Sequence, residues 1–88
     1  MKTQRPECVL SIYNDDHYAD CYTIFIDEWH DRAKTQRMAL TCNDCPTSPN
    51  MGISQFTSGT PGKHCGRKVK FESLPENVQK HIVDRLQP

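Results

Sequence analysis

The sequence predicts an α+β domain: a small, mainly antiparallel β-sheet of four or five strands with one C-terminal amphipathic helix packed on it. Three observations carry this expectation. Residues 18–28, "YADCYTIFIDE", are rich in the β-branched and aromatic types that fit a pleated surface. Residues 73–86, "SLPENVQKHIVDRL", place apolar side chains at helical spacing. The runs between them are short, alternate with period two, and are bounded by turn formers.

The elements follow in chain order. "CVLSIY" at 8–13 alternates as a strand and is stopped by "NDD". In the 18–28 run, Tyr22, Ile24 and Ile26 fall on one face and Cys21, Thr23 and Phe25 on the other. Both faces are apolar near the middle, so this strand belongs at the centre of the sheet. "WHDRAKTQ" is polar and suits a hairpin loop, after which "QRMALTC" at 36–42 supplies a third strand. A stretch with Gly or Pro at six of seventeen positions spans 46–62, a long loop with room for one short strand at "GISQF", because Ile53 and Phe56 call for burial. "GRKVKFES" then reads as a strand with Val69 and Phe71 inward and Lys68 and Lys70 outward. The helix is expected over 73–87. Ser73 and Glu76 stand at capping-box spacing, Pro75 lies in the first turn, and Val78, Ile82, Val83 and Leu86 form the buried stripe.

With 88 residues the chain makes one domain, 1–88, and buries only about 60–65% of the surface its unfolded form exposes. A thin core invites a staple, and five cysteines put metal binding in question. The odd count and the lack of a long apolar run near the N-terminus point to a soluble, cytoplasmic protein with reduced thiols, without a membrane span.

Cys42-Asn-Asp-Cys45 has the spacing of a zinc knuckle, with His64 and Cys65 as candidate partners across the loop. Adjacent residues seldom aim both side chains at one ion. His17 and Cys21 offer a second pair by spacing, although Cys21 falls inside a strand pattern, and Cys8 is a spare. No paired C-x2-C motif is present, so no cofactor is expected, one structural zinc being the alternative. A thioredoxin-type site needs its C-x-x-C at a helix start, whereas Cys45 runs into "PTSPNMG". "GTPGKH" lacks the glycine spacing and the hydroxyl residue of a phosphate loop, and a tight turn explains it. No cysteine or serine has the local signature of a catalytic nucleophile. Asp15, Asp16, His17 and Asp20 could gather around a metal, but a polar turn between strands is the commoner explanation. No enzymatic activity is expected.

Charge is zero overall but unevenly laid out. From Pro6 to His30 there are six acids and no Lys or Arg, while Lys63, Arg67, Lys68 and Lys70 are unopposed over 63–70. The basic stretch could track phosphates along a strand, although net neutrality argues against a nucleic-acid footprint. The acidic half could instead meet the basic surface of a partner protein. Asp15, Asp16, Tyr18, Asp20, Asp27, Glu28 and Trp29 are the candidate contacts, with Trp29 as the aromatic anchor or, equally, a cover for the end of the core.

The segment "GKHCGRKVKFESLPENVQKHIVDRL", with "YADCYTIFIDE", resembles small proteins of phages and bacterial mobile elements. In these a Gly-Lys-His-aliphatic-Gly turn leads into a strand and a Leu-Pro-initiated helix. The resemblance covers about half the chain and its motifs are structural. It implies that Cys65 occupies an aliphatic position as a buried hydrophobe. It also implies an accessory protein that binds a host protein, such as an inhibitor of a nucleic-acid-binding or defence complex. The expected function is therefore protein–protein contact without catalysis, as monomer or dimer; the alternative is a zinc-stabilised domain binding nucleic acid through residues 63–70.

Overall fold

Residues 3–15, 21–42 and 55–86 are described by the structure, a computed structural model. The elements are β1 (Val9–Asn14), β2 (Tyr22–Trp29), β3 (Arg37–Cys42), β4 (Gln55–Gly59), β5 (Arg67–Val69) and α1 (Glu76–Leu86). The five strands form one antiparallel sheet in the order β4-β3-β2-β1-β5. Four strands make a meander, and the chain then crosses back to lay β5 against β1. This is the predicted α+β fold, with β2 at the centre.

Period-two alternation in β2 builds the core. Tyr22, Ile24 and Ile26 are buried and lie opposite Cys42 and Leu40 of β3 and Ile12 and Val9 of β1. Val78 and Ile82 of α1 join the same cluster, with Phe71 and Leu74 closing it where the helix begins. Burying each such aliphatic side chain contributes about 1.5–3 kcal/mol. The opposite face also buries Phe25, between Ser11 and Ala39 in the register, with Tyr13 edge-on to its ring at 5.8 Å.

Several expectations shift. The helix starts at Glu76 rather than Ser73: the Pro75 carbonyl accepts from the Val78 and Gln79 N–H groups, both at 3.0 Å. The Ser73 hydroxyl donates backwards to the Lys70 carbonyl at 2.6 Å, closing a 3-10 turn over Phe71–Ser73 instead of capping α1. Phe71 is buried as predicted, but from that turn, because β5 ends at Val69. Part of the expected 46–62 loop is β4, which runs past "GISQF" to Gly59. Phe56 is 43% exposed, its ring 5.5 Å from the Arg85 guanidinium. Ile53 lies outside the described residues. Among the described residues no helix is long and apolar enough to cross a membrane.

His81 sits half-buried on α1, and its Nε2 is shielded from solvent with no hydrogen-bond partner among the described residues. Burial, followed by the nearby Arg85 charge, pushes its pKa below the ordinary 6.5, with Asp84 opposing. A lowered histidine pKa means that the unfolded chain takes up its proton first as pH falls. The contribution of neutral His81 is therefore complete above 6.5 and is lost as pH drops through that value toward the lower folded pKa. Thermal melts from about pH 7.5 to about pH 5.5 should show a downward slope for the native protein and a shallower one for His81→Gln. Equal slopes would remove His81 as the cause.

Candidate functional site

The apolar alternation of β2 stops at Ile26, and the next three residues, Asp27, Glu28 and Trp29, are all exposed. The β2–β3 register shifts between Phe25 and Trp29, bringing Trp29 opposite Arg37. The Arg37 guanidinium carbon lies 3.8 Å from the centroid of the Trp29 ring, a close cation–π stack. Its Nη1 is 3.6 Å from the Asp27 carboxylate, near enough to attract and too far to hydrogen-bond. That nitrogen is itself buried, with no hydrogen-bond partner among the described residues. Asp27 is 67% exposed, so solvent screens the pair and the stack is what holds the guanidinium.

The turn beyond is tied down by local chemistry. Asp31 accepts from the Thr35 N–H at 2.8 Å and from the Thr35 hydroxyl, and these bonds hold its carboxyl below the usual range. Lys34 takes φ 57°, the left-handed conformation that lets so short a turn close. The His30 N–H donates to the Gln36 carbonyl at 2.9 Å, and the Thr60 hydroxyl donates to the Thr35 carbonyl at 3.1 Å. Trp29, 40% exposed, therefore stands on a braced hairpin with two exposed acids before it.

The acidic half is not one surface. Antiparallel pairing of β1 and β2 puts Asp15 at one end of the hairpin and Asp27 at the other, where its N–H donates to the Cys8 carbonyl. At strand rise this separates the two by roughly 20 Å. Asp15 instead neighbours the turn at Cys65 and Gly66. Asp16, Tyr18 and Asp20, and His17 with them, lie outside the described residues.

Of the metal candidates, Cys42 is fully buried on the core face among the aliphatic side chains. Cys65 ends a 3-10 turn over Lys63–Cys65 in which His64 is exposed. Its thiol points at the Thr60 carbonyl, with Sγ and oxygen 3.7 Å apart. Burial pushes that thiol's pKa up; a Gly62 backbone hydrogen bond opposes the rise and the Asp15 charge adds to it. A raised pKa works against the thiolate that a metal needs. Cys65 is half-buried rather than fully so. Cys45 lies outside the described residues, and among those described no three His, Cys, Asp or Glu side chains are grouped to hold an ion.

The basic stretch is divided by strand alternation. Arg67 pairs with Asn14, Lys68 with Tyr13, and Val69 with Ile12, so Arg67 and Lys68 point to opposite faces. Lys63 belongs to the preceding turn. Lys68 and Lys70 line a groove beside β1 that also holds Arg5, a residue sequence reading passed over. Nothing local marks Arg5, because only the return of β5 to the β1 edge brings residues 5 and 70 together. No family model, curated protein or solved structure matches the chain.

Proposed function

We propose that this protein is a non-enzymatic binding module that acts by protein–protein contact, with Trp29, Arg37 and Asp27 as its anchor. The observation carrying this reading is the half-exposed Trp29 ring held at 3.8 Å by Arg37 on a braced turn. Tryptophan and arginine are the types most enriched where binding energy concentrates. A ring already fixed in place forfeits little conformational entropy on contact. Asp27 and Glu28 beside it favour a partner with a basic surface. In the finer form of this reading, which rests on the resemblance to phage and mobile-element proteins, the partner is a nucleic-acid-binding or defence protein of a bacterial host. Its basic groove would accept the acidic turn.

The test is affinity capture from bacterial lysate at low salt, with native protein and Trp29→Ala run in parallel. A partner retained by the native protein, released by added salt and weakened by about thirty-fold or more in the variant is the expected result. Thermal melts confirm that the variant folds, since an exposed ring contributes little to the core. Identical captures by the two proteins would end the assignment of Trp29 as anchor.

A further inference from the structure

We propose that the groove between β1 and the chain leaving β5 docks an extended acidic segment of a partner protein. This site is separate from the Trp29 surface, opposite in charge, and does not rest on that reading. β5 covers only Ile12–Asn14 of β1. After Val69 the chain turns off into the 3-10 turn at Phe71, and β1 bulges at Leu10, which is 42% exposed. The two departures open a groove of about 170 Å3, roughly the space of six waters.

Its chemistry is mixed. The apolar part is Val69, partly exposed, over the edges of the buried Val9, Ile12 and Phe71, with the exposed Leu10 at the rim. Around it stand three cations, Arg5, Lys68 and Lys70, against one acid, Glu72. None of the three cations makes an ion pair among the described residues. Lysines on an edge strand commonly serve only to deter edge-to-edge pairing, which would account for Lys68 and Lys70. That role does not account for Arg5, which comes from outside the sheet to the same opening.

Carboxylates answer the cations, and an aliphatic side chain answers the apolar part. Because β5 pairs only from Ile12 onward, the β1 edge before Ile12 has no strand beside it among the described residues, so an extended segment can also pair with main chain there, as in strand addition. A nucleic acid would satisfy the cations but leave the apolar part without an occupant. The zero net charge also offers it little attraction beyond this groove. The occupant that fits both features is an acidic peptide with an apolar residue between its acids.

The test is a titration of 15N-labelled full-length protein with a blocked hexapeptide carrying two glutamates on each side of a leucine–valine pair. Shifts confined to amides of Leu10, Ser11, Val69 and Lys70, saturating in the millimolar range or below, are expected. The Lys68→Glu/Lys70→Glu double variant should bind at least about ten-fold more weakly, while Trp29→Ala binds as the native protein does. Should the double variant fail to fold, Arg5→Glu, outside the sheet, serves in its place with the same expectation. The proposal is overturned if these amides do not move, or if the charge-reversed variants bind unchanged. It is equally overturned if a peptide with lysines for glutamates binds as well, or if single-stranded DNA takes the same amides more tightly than the peptide.

Discussion

Replacing Gly66 with alanine will destabilise the protein by more than about 2 kcal/mol, a large part of the roughly 5–10 kcal/mol available to a domain of this size. Gly66 joins the 3-10 turn at Lys63–Cys65 to β5 with φ 104°, in the region that side chains rarely adopt. A Cβ there would lie 2.4 Å from the Asn14 carbonyl oxygen, 2.8 Å from its carbon and 2.9 Å from the Asp15 Cα. All three are backbone atoms, so no flexible side chain can swing aside. Relief requires β5 to move off the end of β1, and Asn14↔Arg67 is the first pair of that ladder to part. Gly62→Ala is the control, because among the described residues its Cβ would meet only the His64 ring, at 3.1 Å, on an exposed side chain that can turn away. Urea denaturation should place Gly62→Ala within about 1 kcal/mol of the native protein. A Gly66→Ala variant equally close to native would contradict the packing of that turn against β1.

How much of this could be read in advance depended on how local each signal was. β2 was legible because Tyr22, Ile24 and Ile26 state their own periodicity, and α1 because Val78 and Ile82 fall a turn apart. The start of the helix was not. Ser73 had two carbonyl or N–H partners within reach, and the one three residues back won. Phe56 looked buried by composition but lies on edge strand β4, where the sheet offers it little cover. The bulge at Leu10 carries no glycine or proline to announce it. The acidic region misled in a more general way. Six acids gathered in sequence suggest one patch, yet a hairpin sends residues near its turn and residues near its open end to opposite poles. The Trp29–Arg37 stack depends on a register shift, and the basic groove on a crossover, neither of which has a local signature.

Ile82→Ala is expected to cost about 2–5 kcal/mol, close to the whole stability of so thin a core. Ile82 is completely buried, sharing one cluster with Ile12, Ile24, Leu40 and Val78, so truncation leaves a hole that backbone fixed by ladder pairing cannot collapse to fill. An eleven-residue helix is marginal in water by itself, so α1 exists because its stripe is docked. The same argument makes the sheet depend on the helix, since without α1 the aliphatic face of β2 and β3 would meet solvent. Helix and sheet should therefore melt together. The single tryptophan, Trp29, lies in the sheet on the face away from the cluster and reports strand order by fluorescence, while ellipticity at 222 nm reports α1. Coincident transitions are expected in the native protein and in Ile82→Ala, the latter at much lower denaturant. Val83→Ala, half-buried on the same helix, should shift the midpoint far less, because alanine recovers helix propensity where little packing is lost. If ellipticity were lost well before the Trp29 signal, α1 would be an appendage of a self-sufficient sheet, and the single shared core would be refuted.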